Sequence, residues 1–142
     1  MNEFKFFLPV QVRSNDIDAW WHVNHSIYLH YLEQVRMEYL YQLGMFDGHS
    51  FHDMGLIMAD MHISYRRPVV LFQKILIAAR IGSIGNKSLK FHYQILDEET
   101  RKVHVEAESI GVGYDYRTQK TIPISKSWRE KISAFEGIDF NM

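Results

Sequence analysis

The sequence predicts an α+β domain in which an antiparallel sheet of five to six strands wraps around one long central helix, with a short helix near the C-terminus. Three features carry that prediction. Apolar residues between His25 and Leu43 recur with a period of 3.6. Later segments alternate with a period of two. The connections between those segments are short enough for antiparallel hairpins. At 142 residues the chain has the size of a single domain spanning 1–142, able to bury roughly 68% of its unfolded surface.

The elements follow in order. From Phe4 to Val12 the residues favour an extended strand, and Pro9, which has no N–H for a ladder, assigns it to an edge or a bulge. Asn24 suits the N-cap of the helix and Gly44 its stop. Between them Ile27, Tyr28, Tyr31, Leu32, Val35, Tyr39, Leu40 and Leu43 share one face. A helix of about nineteen residues is roughly 28 Å long, enough to cross a sheet.

A loop rich in Gly, His and Asp (47–55) leads to the first alternating row, Ile57, Ala59, Met61, Ile63 and Tyr65. Ile75, Ile77, Ala79 and Ile81 form a second row, and Leu89, Phe91, Tyr93 and Ile95 a third. Hairpin connections are expected around 68–73, 82–87 and 97–102. The last strand starts with Val103, Val105 and Ala107 on one parity and ends with Ile110, Val112 and Tyr114 on the other. That switch predicts a β-bulge between Glu106 and Ile110. Ser127 and Glu130 have capping-box spacing before the terminal helix.

Composition narrows the function. The chain is 46% apolar and 23% charged with a net charge of -1, so no uncompensated basic charge invites nucleic acid or a membrane. It has no cysteine, which excludes disulfides, thiolate metal sites and cysteine nucleophiles and suits a reducing cytoplasm. Its first residues carry Glu3 and no signal-like apolar core, and no window approaches the ~18 uncharged apolar residues of a membrane span. A soluble cytoplasmic domain with neither nucleic-acid nor membrane partner is expected.

The chemistry concentrates in "NDIDAWWHVNH", residues 15–25, directly before the helix. Taken alone, Asp16 and Asp18 are readily explained as turn residues that satisfy backbone donors, and Asn24 as a cap. His22 and His25, three apart, invite a metal reading with Asp16 or Asp18, but the set is not compelling and no metal is expected. His49, His52, His62, His92 and His104 are scattered and read as surface.

The element order and the phrase "DIDAWWHVNHSIYLHYLEQVR" together resemble the 4-hydroxybenzoyl-CoA thioesterase-like family of hotdog-fold acyl-CoA thioesterases. That family has an Asp-x-Asp pair, a His-Val-Asn-Asn-like run, then a Tyr and a Glu on the central helix. Here these are Asp16, Asp18, His22, Val23, Asn24, Tyr28 and Glu33. "ISYRRPVV" resembles the family's Tyr-Arg-Arg-Pro strand ending, and "SIGNKSLKFHYQI" the following pair of strands, so the similarity runs from about Phe4 to Pro123. The chain departs at Trp21, where the family commonly has Gly, and at His25, where Asn is commoner.

The resemblance implies a hotdog fold and hydrolysis of an acyl-CoA to the free acid and coenzyme A, with no cofactor beyond the substrate's own coenzyme A. It implies a site between two protomers, hence a homodimer or a homotetramer as a dimer of dimers. Asp18 would attack the thioester carbonyl or activate water, and an ordinary aspartate, with a pKa near 3.9, is ionised for either role at pH 7. Asp16 is read as structural, with His22 and Asn24 assisting. Backbone amides of Val23, Asn24 and His25 at the helix N-terminus would form the oxyanion hole. Trp20, Trp21, Tyr28 and Glu33 are assigned to substrate binding, and Arg66, Arg67, Lys87, Ser88 and Lys90 to the phosphates or adenine of coenzyme A. Two alternatives stay open: a hydratase or dehydratase acting on acyl thioesters, and a non-catalytic acyl-CoA binding domain.

Overall fold

The structure, a computed structural model, describes residues 3–49 and 55–140. Helix α1 (His25–Gln42) starts where Asn24 accepts the Ser26 amide on its side-chain oxygen at 3.0 Å. It is left through Gly44, whose φ of 76° the missing Cβ permits. Tyr28, Tyr31, Leu32, Val35, Tyr39 and Leu40 are buried along it, as the period of 3.6 requires. No helix among the described residues is long and apolar enough to cross a membrane.

That face lies on an antiparallel sheet of six strands: β1 (Phe6–Gln11), β2 (Leu56–Tyr65), β3 (Lys74–Ile84), β4 (Ser88–Asp97), β5 (Val103–Asp115) and β6 (Lys120–Thr121). The order is β1-β3-β4-β5-β2, with β6 paired to β5. Pro9 therefore sits on an edge strand, as its missing donor demands. The inward rows Ile75, Ile77, Ala79, Ile81 and Leu89, Phe91, Tyr93, Ile95 are buried as expected and, with the tyrosines of α1, make the core. Helix α2 (Lys126–Glu136) closes the chain. It is pinned by Glu136, 6% exposed, which accepts from the Tyr39 hydroxyl at 2.6 Å and the Ile81 amide at 3.1 Å. This is the hotdog arrangement.

Four local expectations are corrected. The 68–73 connection is not a hairpin, because β2 pairs with β5 and lies apart from β3; the chain instead crosses the end of the sheet, where it meets the segment before α1. The predicted bulge between Glu106 and Ile110 is absent: Ala107, Ser109, Gly111 and Gly113 all face inward and Ile110, Val112 and Tyr114 outward. The parity change falls on β2, between Met58 and Asp60. There Leu56 and Met58 occupy the space that the inward Gly111 leaves: a Cβ on it would lie 2.7 Å from the Met58 methyl. Ile57 is turned outward as a result.

His104 is buried rather than on the surface. It sits at an irregularity of β5 opposite the Ile95–Leu96 step. Gln73 accepts the Val70 amide on its oxygen, so its nitrogen donates to His104 Nε2 at 3.3 Å, leaving Nδ1–H to donate to Pro68 O at 3.0 Å. The cap of α2 is Ser125, which accepts the Trp128 amide at 3.1 Å, rather than Ser127. His52 lies outside the described residues.

Candidate active site

Residues 17–23 fold into a small hairpin. Ile17 and Val23 form an antiparallel bridge, the Asp18 amide donates to His22 O at 2.9 Å, and the Trp21 amide returns to Asp18 O at 3.1 Å. Closing so tight a turn requires a left-handed residue, and Trp21 supplies it with a φ of 65°. The conformation explains why this position favours Gly, and the indole instead stands out into solvent, 65% exposed. Trp21→Gly is therefore expected to raise stability by up to about 1 kcal/mol through relief of backbone strain. The midpoint of urea unfolding reads this, and a lowered midpoint contradicts it.

Two anchors hold the hairpin. Asp16, 2% exposed, accepts from the Tyr31 hydroxyl at 2.7 Å and the Arg13 amide at 3.0 Å, and its carbonyl accepts the Asn24 amide at 2.9 Å. Burial works to raise its carboxyl, but the Arg13 amide, the Tyr31 hydroxyl and the Arg13 guanidinium outweigh it and hold the group below the usual aspartate value. On the other side the β2–β3 crossover clamps the hairpin. Val23 donates to Val69 O at 2.8 Å, His22 bridges Val70, and the Val69 amide donates to the Tyr28 hydroxyl at 3.2 Å.

The hairpin, the start of α1 and the end of β2 enclose an open hollow of about 680 Å³. It brings together Asp18, Trp20, His22, Val23, Asn24, His25, Tyr28, Arg66 and Arg67. One Asp18 oxygen accepts the Trp20 amide at 2.9 Å, the turn contact expected of an aspartate here; the other has no partner among the described residues. The oxyanion assignment narrows, because the Val23 and Asn24 amides are already spent on Val69 O and Asp16 O. The His25 amide, at the first helical position, has no acceptor among the described residues. Burial pushes the Tyr28 phenol up, and with its oxygen occupied by the Val69 amide its own proton remains free to donate into the hollow.

Tyr65 and Pro68 also line the hollow, and sequence reasoning missed both. Tyr65 stacks on His25, with ring centroids 4.6 Å apart, and tilts against Tyr28 at 5.2 Å. Its place immediately before Arg66 was the available signal, but its position in an alternating row assigned it to the core. Arg66 pairs with Glu106 at 3.1 Å; Arg67 has no ionic partner among the described residues.

The remaining assigned residues lie elsewhere in the chain. Trp21 does not line the hollow, and Glu33 lines a different one with Arg36. Lys87 donates to Thr121 Oγ1 at 3.1 Å, and Lys90 pairs with Glu108 at 3.5 Å on the outer face of the sheet. Ser88 pairs with Val112 whereas Tyr65 pairs with Val105, so the 87–90 group sits toward the opposite end of the sheet. Among the described residues no three His, Asp or Glu side chains converge to hold a metal ion.

Comparison with known proteins agrees with this architecture. A family model described as the thioesterase-like superfamily matches residues 12–132. The long-chain acyl-CoA thioesterase FadM of Escherichia coli (strain K12) is 29% identical over 123 residues, covering 87% of this chain and 93% of the relative. A thioesterase from Thermus thermophilus, solved in complex with coenzyme A and zinc, superposes with a TM-score of 0.83 at 26% identity over 96% of this chain and 98% of its own. The probable thioesterase YbaW from Escherichia coli gives a TM-score of 0.79 at 27% identity, over 93% and 99% of the two chains.

Proposed function

The chain belongs to the thioesterase-like superfamily, and from that premise we propose that it hydrolyses an acyl-CoA thioester to the free carboxylic acid and coenzyme A, with Asp18 at the reacting centre. The observation that carries the reading is the convergence on one hollow of a half-free carboxylate, an unspent helix N-terminal amide and a neutral tyrosine hydroxyl. Asp18 attacks the carbonyl carbon or takes a proton from the water that does. The oxygen that gains charge is met by His25 N–H and Tyr28 O–H, donors placed where a helix N-terminus already favours an anion. The C–S bond then breaks and the departing thiolate takes up a proton, a step beside which His22 lies; where Asp18 itself attacked, water then hydrolyses the mixed anhydride to the free acid and restores the carboxylate. Arg67, and Arg66 beyond its ion pair, hold phosphate of the coenzyme.

Tyr28→Phe is expected to lower kcat at least about tenfold, as loss of an oxyanion donor does, with little change in KM. A rise in KM alone would assign Tyr28 to binding only.

The proposal extends to a homodimer. β2 is a ten-residue edge strand with Ile57 and Tyr65 exposed, and such an edge is a template for another strand. Pairing two copies would bring Lys87, Ser88 and Lys90 into play from a second chain. Light scattering at micromolar concentration reads the mass, and a monomer contradicts this extension.

The reaction itself is tested with a panel of saturated acyl-CoAs and a thiol indicator. Thiol release is expected; a saturated chain offers a hydratase no double bond, and a binding domain releases nothing, so absence of release across the panel overturns the proposal.

A further inference from the structure

The crossover that clamps the active-site hairpin is itself held from behind, and the contacts that hold it end on Tyr28. One peptide unit carries the connection. Its carbonyl, Pro68 O, accepts from His104 Nδ1 at 3.0 Å, and its amide, Val69 N–H, donates to the Tyr28 hydroxyl at 3.2 Å. No peptide bond among the described residues is cis, and in a trans unit C=O and N–H point in opposite directions. His104 therefore stands at one end of the group and Tyr28 at the other. His104 also grips the start of the crossover, because its own carbonyl accepts the Arg66 and Arg67 amides at 2.8 and 3.1 Å.

The chemistry of the partners fixes every donor in this chain of contacts. A carbonyl only accepts, so Nδ1 of His104 carries the proton and Nε2 is left as an acceptor. Gln73 meets it with its nitrogen at 3.3 Å, and that amide is not free to turn over. Its oxygen accepts the Val70 amide at 3.0 Å, and its nitrogen also donates to Asp97 at 2.8 Å. Asp97 is anionic, its carboxyl drawn down to about 2 by the Thr100 amide first and by Gln73 after it. A reversed Gln73 would set oxygen against carboxylate and nitrogen against an N–H. The donors Gln73, His104, Val69 and Tyr28 thus follow one another in a single direction, toward the hollow that Asp18 lines. Hydrogen bonds in such a series polarise one another.

We propose that His104 is a positioning residue for the hydrolysis, with Gln73 fixing its tautomer: through the Pro68–Val69 peptide it holds the Tyr28 oxygen in place and keeps the hydroxyl proton turned toward the developing oxyanion. The proposal rests on the hydrolytic reading above and on Tyr28 as a donor. Neither His104 nor Gln73 lines the Asp18 hollow, and His104 is 9% exposed, so both act through the crossover. With its oxygen engaged by Val69, the Tyr28 hydroxyl has its proton left for the hollow. Slack in the Pro68–Val69 peptide frees that oxygen to accept elsewhere and lets the proton swing away.

The test is a double-mutant cycle on kcat for thiol release from a saturated acyl-CoA, with the intact chain. His104→Leu, which fills the space and donates nothing, should lower kcat about tenfold, by no more than Tyr28→Phe does, with KM unchanged. In the Tyr28→Phe background the same change should cost less than about twofold, because the hydroxyl it aims is gone. His104→Asn, whose amide N–H can stand where Nδ1–H stood, should return kcat to within about twofold of wild type. Should His104→Leu not fold, Gln73→Met takes its place in the cycle with the same expected coupling. Deuterium exchange of the Val69 amide, followed by NMR against the Ile95 amide of the core, reads the connection without turnover: it should quicken in His104→Leu and recover in His104→Asn. Losses that multiply independently in the cycle, a loss confined to KM, or unchanged Val69 exchange would overturn the proposal. A wild type that releases no thiol, or a fully active Tyr28→Phe, would overturn the reading beneath it and the proposal together, and is told apart by needing no change at His104.

Discussion

Asp18→Asn is expected to cut thiol release from acyl-CoA by at least about a hundredfold while leaving the fold intact. Asparagine keeps an oxygen for the Trp20 amide, which Asp18 accepts at 2.9 Å, so the turn survives and only the charge is lost. The size of the effect separates two roles. Loss of a general base costs about 10² to 10⁴ in rate, whereas removal of an attacking nucleophile approaches 10⁶. Circular dichroism and the unfolding midpoint serve as controls. Wild-type turnover in a folded variant would remove Asp18 from the chemistry.

Asp16→Ala is expected to destabilise the protein by about 2–4 kcal/mol, because it orphans the buried Tyr31 hydroxyl and the Arg13 amide together. The thermal midpoint should fall by roughly 6–12 °C, and turnover should fall with it as the hairpin that carries Asp18 loosens. The pH dependence has a definite sign. The Asp16 carboxyl is held below its ordinary value in the folded state, so its contribution is present in full above the unfolded pKa of about 3.9 and is lost as pH falls through the lower folded value. Urea unfolding at pH 7 and in progressively more acidic buffers should therefore show the gap between wild type and variant shrinking on acidification. A gap that is constant or widens toward acid would contradict the assignment.

The two aspartates illustrate what the sequence could and could not reveal. Both lie in one eleven-residue segment, and the helix after it announces itself by its period and its Asn24 cap, so the start of α1 was legible, whereas the folding of residues 17–23 into a hairpin was not. Their different fates depend on what each meets: Asp16 finds Tyr31, fifteen residues away, and Asp18 finds open space. Non-local contacts account for the other misses too. Whether an amide at the helix N-terminus is free depends on the β2–β3 crossover, and Val23 is spent on Val69 O through a pairing that no local pattern encodes. Tyr65 reaches the site from the far end of β2. The parity change appears on β2 because Gly111 of a neighbouring strand makes room there for Leu56 and Met58, although the sequence signal sat on β5. Burial of Arg36 within an otherwise apolar helix face is likewise set by Tyr93, 57 residues on.

Water-dependent cleavage of a thioester is decided by one saturated acyl-CoA and wild-type protein in ¹⁸O-labelled water. One thiol is expected for each acid formed, with a single ¹⁸O in the carboxylate of that acid after multiple turnovers. Binding of the acyl-CoA with no thiol released, or an acid formed without label, would contradict it.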